Sequence, residues 1–119
     1  MSQLEKLQLL PKVIVNGIET FVWFHEYTDG ETTAIELMSW EADDECIEPY
    51  TMATVNGPFN LQEGEVAIKN YSENAGVLEA LIEAKIISPV LRRQPINFVT
   101  VDICKLLIEP VNPEIDWEE

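Results

Sequence analysis

Lys12 to Tyr27 reads KVIVNGIETFVWFHEY, and the Asn16-Gly17 pair near its centre decides the fold. Both residues tolerate positive φ, as a tight hairpin turn requires, and apolar runs flank them on either side. The stretch predicts a β-hairpin, with a short β-branched strand over Lys12–Asn16 and a long aromatic strand over Ile18–Tyr27. Thr28-Asp29-Gly30-Glu31 predicts a second turn, and TAIELMSW at Thr33–Trp40 a third strand, so the N-terminal part forms a meander. Residues 1–11 read as a short arm, or one irregular helical turn, ending at Pro11.

Glu41–Pro49 (EADDECIEP) follows no clear period and predicts a loop. YTMATVN at Tyr50–Asn56 predicts a fourth strand closed by Gly57-Pro58, and EVAIKN at Glu65–Asn70 a fifth with Val66 and Ile68 on one face. There the period changes. Ser72 is a good N-cap, Glu73 complements the helix dipole, and Val77, Leu78, Leu81 and Ile82 form one stripe, which predicts a helix over Glu73–Lys85. Gly76 weakens its first turn. A connector carrying Arg92, Arg93 and Pro95 leads to a last strand, Asn97–Leu107 (NFVTVDICKLL). The expected fold is α+β: an antiparallel sheet of five or six strands with one main helix packed on one face. The domain runs over residues 12–108, between an arm (1–11) and an acidic tail (109–119) whose two prolines predict fraying.

The charge is more unusual than the pattern. Acids number 22 against 7 bases, for a net charge of -15 over 119 residues. Between Val13 and Ile68 there are twelve acids and no Lys or Arg: Glu19, Glu26, Asp29, Glu31, Glu36, Glu41, Asp43, Asp44, Glu45, Glu48, Glu63 and Glu65. A hydrophobic fraction of 46% is that of a folded domain, so the acidity does not signal disorder. Such a surface repels nucleic acid and anionic membranes and attracts basic partners, with a field reaching about 8 Å in physiological salt. No apolar run approaches the roughly 18 residues of a membrane span, and no cationic start or small-residue cleavage site frames a signal peptide. The cytoplasm is the expected compartment, with Cys46 and Cys104 as reduced thiols and Cys104 buried.

From Glu48 onward the order of signals is distinctive. It runs EPYTMATVN at Glu48–Asn56, EVAIKNYSENAGVLEALIEA at Glu65–Ala84, IISP at Ile86–Pro89 and FVTVDICKLL at Phe98–Leu107. This resembles a family of small uncharacterised bacterial proteins, a domain of unknown function associated with plasmids, phages and other mobile elements. The resemblance covers about half the chain and implies a mobile-element accessory setting without a catalytic motif.

Motifs for chemistry are sparse. Glu41, Asp43, Asp44, Glu45 and Glu48 offer oxygens to a hard cation, but the EF-hand order and its glycine are missing. Zinc needs three or four His/Cys ligands, and the chain has one His and two separated Cys. The SENAG turn at Ser72–Gly76 lacks the glycines that cradle phosphate. His25 with Cys46 or Cys104 would imitate a cysteine hydrolase only in a pocket lined by both residue types. Glu19, Glu26 and Glu36 lack the cleft that paired carboxylates need. Arg92 and Arg93 either pair with the protein's own acids or close a homodimer. Trp23 and Trp40 pack in or beside the core, whereas Trp117 either anchors a partner or docks on the protein itself.

These readings converge on a non-enzymatic acidic binding protein without cofactor or metal. Its partner-binding residues are Glu41, Asp43, Asp44, Glu45, Glu48, Glu63 and Glu65, facing a basic protein surface. In its sharpest form the protein inhibits a nucleic-acid-binding enzyme by imitating a duplex, which carries one charge per about 1.7 Å. The alternative is a protein-interaction accessory module whose acidity serves solubility.

Overall fold

A computed structural model of the chain describes residues 1–27, 32–57 and 59–117. The turn expected at Thr28–Glu31, the Pro58 of the Gly57-Pro58 stop, and Glu118 and Glu119 of the tail lie outside the described residues. The chain is α+β, but its strands form two antiparallel sheets and not one of five or six.

The first sheet is the meander, extended by one strand: β1 (Lys12–Val15), β2 (Ile18–Glu26), β3 (Thr33–Glu41) and β4 (Cys46–Met52), in that spatial order. Asn16 (φ 51) and Gly17 (φ 81) make the turn between β1 and β2, the positive φ values that an Asn-Gly hairpin uses. The second sheet has the order β5-β7-β6, from β5 (Glu65–Ile68), β6 (Arg92–Ile96) and β7 (Val99–Lys105). Two short helices complete the fold, α1 (Gln3–Leu7) and α2 (Val77–Glu83), with a 3-10 turn at Ser72–Asn74.

Three expectations need correction. The acidic stretch Glu41–Pro49 is largely a hairpin and not a loop: Glu41 ends β3, residues 42–45 turn, and β4 begins at Cys46, four residues before the predicted strand. Trp40 faces Ile47 across this hairpin, an apolar cross-strand pair hidden in the sequence by the surrounding charges. The supposed connector at Arg92 is strand β6, whose Pro95 is tolerated because β6 lies at a sheet edge. It turns into β7 at Asn97 (φ 54) and Phe98. The helix starts at Val77 and not Glu73, because Gly76 adopts φ 96 and interrupts it. Its first N–H groups are met by Asn70, whose Oδ1 accepts from Gly76 and Leu78 (both 3.2 Å), while Ser72 makes no cap.

Alternation along β2 and β3 explains the core. Val22, Phe24, Ile35 and Leu37 turn one face of the first sheet inward with Val13 and Val15. They meet Val66 and Ile68 of β5 and Val77, Leu78 and Leu81 of α2 in one buried cluster. The sheets are stitched where β4 runs on: the Ala53 N–H donates to the Ile35 carbonyl, and Thr54 bridges to Ile68. On the other face of the first sheet, Phe21 gathers Leu7 and Leu10 with the half-buried Trp23, Met38, Trp40, Ile47, Ile115 and Trp117. The second sheet buries Phe59, Ala67, Val101 and Ile103 on its far side.

The tail has no regular structure, yet it is tied to β2. Asn112 accepts from the Phe24 N–H (2.8 Å) and donates to the Phe24 carbonyl (2.9 Å), filling the ladder position beyond the start of β1. The Lys6 ammonium donates to the Asp116 carbonyl and the Gln3 amide to the Trp117 carbonyl. Trp117 sets its ring against Trp23 at 5.6 Å and 71°. Cys46 and Cys104 are unbridged, and Cys104 is buried. Among the described residues no helix is long and apolar enough to cross a membrane.

Leu81 has no exposed surface and joins the helix to the cluster between both sheets. Leu81→Ala is expected to lower stability by about 2–5 kcal/mol, read as a lower urea midpoint at unchanged slope.

Candidate functional site

The hairpin that joins β3 to β4 brings five of the seven expected binding acids together. Asp43, Asp44, Glu45 and Glu48 are exposed and Glu41 is partly so. Glu45 takes positive φ (48), which closes the turn without a glycine. The Glu41 carboxylate accepts the Asp43 N–H at 3.0 Å, fixing the turn from within. None of the five makes an ion pair among the described residues.

Glu63 and Glu65 lie elsewhere. They line a groove with Thr32 and Thr33, at the opposite end of β3 from Glu41. At about 3.3 Å per residue, the two ends of that strand are roughly 26 Å apart. Glu65 is also neutralised. Its side chain is 8% exposed, and Arg92 clamps it with two hydrogen bonds of 2.8 and 3.0 Å. Hydrogen bonding to Arg92, and then to the Gln62 N–H, holds its carboxyl at about 2, well below the usual 4.5.

Other acids of the N-terminal half are answered too: Glu19 by Lys12 at 2.9 Å, and Glu36 by His25 at 2.8 Å. The adjacent arginines are both spent within the chain, Arg92 on Glu65 and Arg93 on Asp102 (2.9 Å). Glu26 and Glu63 also lack an ion pair among the described residues, but the hairpin is where unpaired carboxylates stand closest together in the sequence.

Beside it opens a groove of about 560 Å³ that sequence reasoning did not assemble. Trp23, Met38, Ile47 and Trp117 give it apolar walls, and Glu36 and Glu45 bring carboxylates to it. The signal was the alternation Phe21, Trp23, His25 on the outer face of β2, together with an aromatic residue in the tail. Its assembly depends on α1 and the tail, which local periodicity does not pair.

His25 and Cys46 both line this groove, the condition set for a cysteine hydrolase. Their chemistry runs the other way. Desolvation first, then the charges of Glu48, Asp44 and Glu41, push the Cys46 thiol up, so it stays protonated at neutral pH. His25 Nε2 is engaged by Glu36. Cys104, pushed to about 11 by burial with Asp102 adding to it, is sealed in the core. The ligand atoms of Asp44, Cys46 and Glu48 lie within 4.8 Å of one another, but a protonated thiol between two exposed carboxylates is a weak donor set for a metal ion.

The Glu65–Arg92 pair gives a pH test. Because the folded-state value lies below the unfolded one, the stabilisation is complete above about 4.5 and is lost as pH falls toward about 2. Glu65→Gln is expected to have a lower urea midpoint than wild type at neutral pH, with the gap closing on acidification through that window.

No protein-family model matches the chain, and neither a curated protein nor a solved structure matches it significantly.

Proposed function

We propose that the chain is a non-enzymatic binding protein that docks on a basic protein surface through the acidic β3–β4 hairpin. The observation that carries this reading is the gathering of Glu41, Asp43, Asp44, Glu45 and Glu48 on one hairpin with no cation paired to them among the described residues. Like charges held this close repel one another, and a cationic partner relieves that repulsion as it binds. The mobile-element setting implied by the resemblance of Glu48–Leu107 belongs to the same proposal, with an enzyme that handles nucleic acid as the target. The arrangement favours a local charged knob over a duplex-length ladder of charge: Glu63 stands at the far end of β3, and Glu65 is already paired. The solubility reading is separated from docking by what happens when these five charges are removed.

The variant Glu41→Gln, Asp43→Asn, Asp44→Asn, Glu45→Gln and Glu48→Gln keeps the shape of each side chain and removes its charge. Wild-type chain immobilised at low salt is expected to retain a bacterial protein that elutes between about 50 and 200 mM salt. The neutral variant, with an unchanged near-UV circular dichroism spectrum, is expected to lose at least about tenfold in affinity for that protein. Equal binding by both forms would leave the acids with a solvating role only.

A further inference from the structure

The groove beside the hairpin has apolar walls and carries two carboxylates in its lining, Glu36 opposite Trp23 and Glu45 in the turn. Trp23 and Trp117 meet at 71° with ring centroids 5.6 Å apart, so the two indoles form a corner. Trp117 is held there by its carbonyl, which accepts from Gln3, and by the neighbouring Asp116 carbonyl, which accepts from Lys6. Met38 and Ile47 extend the wall, while Glu36 and Glu45 supply carboxylates. The cationic candidate within the lining is His25, already turned to Glu36.

Those features select the occupant. A purely apolar side chain would desolvate Glu45 without pairing it, and would leave Glu36 with His25 alone, which is costly. An anion would be repelled. A lysine ammonium is a compact and strongly hydrated charge that gives up water reluctantly. An arginine guanidinium is planar and weakly hydrated, stacks on indole faces, and donates in its plane to carboxylates. The groove, at about 560 Å³, has room for that side chain and the backbone on either side of it.

We propose that this groove receives an arginine side chain of the protein partner, seated in the corner of Trp23 and Trp117 and answered by Glu36, which stands opposite Trp23 in the β2–β3 ladder. The assignment rests on the docking reading above and names what the partner must present next to its basic surface.

The test uses the full chain labelled with nitrogen-15 and follows three indole N–H signals, those of Trp23, Trp40 and Trp117. Trp40 does not line the groove and serves as the reference. The probe is a capped Leu-Arg-Leu peptide, compared with versions carrying citrulline or lysine in place of arginine. The arginine peptide is expected to shift the Trp23 and Trp117 signals saturably, with a midpoint of about 1–10 mM, and to leave Trp40 in place. The citrulline peptide is expected to shift neither, and the lysine peptide to bind at least about fivefold more weakly. Glu36→Gln should weaken the arginine peptide several-fold without disturbing the tail. Trp117→Leu should abolish the Trp23 shift.

Equal response to citrulline or to lysine overturns the arginine assignment. Shifts confined to the backbone amides of residues 43–45, with both indoles unmoved, overturn the groove and leave the docking hairpin standing. Silence at both places overturns both readings.

Discussion

Phe21-Val22-Trp23-Phe24 puts large apolar side chains on both faces of β2, and neither face can be left to water. Each such side chain is worth about 1.5–3 kcal/mol when fully buried, so a strand of this kind needs two covers. The first is ordinary: Val22 and Phe24 join the cluster shared by both sheets and α2. The second must be found from what remains of the chain. Phe21 and Trp23 are covered by α1, through Leu7 and Leu10, and by the tail, through Ile115 and Trp117. The groove is what that second cover leaves open, lined by Gln3 and Trp117 together with Cys46 and Ile47 of β4.

The parts of the fold that could be read in advance are those with a strong local cause. Asn16-Gly17 sets its own hairpin, the alternation of β2 and β3 shows which residues turn inward, and the Val77 to Ile82 stripe marks a helix. What escaped was controlled by partners far along the chain. Ile47 and Tyr50 sit among five acids, and only pairing with β3, including the bulge that shifts register at Leu37 and Met38, makes that stretch a strand. β6 was masked by two arginines and a proline, each of which its edge position accommodates. The split into two sheets follows from residues 53–54 crossing between them, a connection with no signature in composition.

The acidic half divides in the same way. Composition alone treats twelve carboxylates as equivalent, but their surroundings sort them. Lys12, His25 and Arg92 each answer one carboxylate. Arg92 is brought to Glu65 by β7, which lies between β6 and β5 and lets the guanidinium reach across it. What is left at the β3–β4 turn is a smaller charge than the sequence promised, but a concentrated one, and it stands next to half-buried indoles. Under the proposed docking, field and shape select together: the charge draws a cation in, and the aromatic corner discriminates among cations.

β4 is the outermost strand of its sheet, and an outermost strand has backbone groups that invite a second molecule to extend the ladder. Pro49 offers no N–H at that rim, and Glu48 beside it would meet its own counterpart if two copies approached edge to edge. The charges proposed to suit this strand to a foreign cationic surface therefore also set identical chains against one another at the same rim.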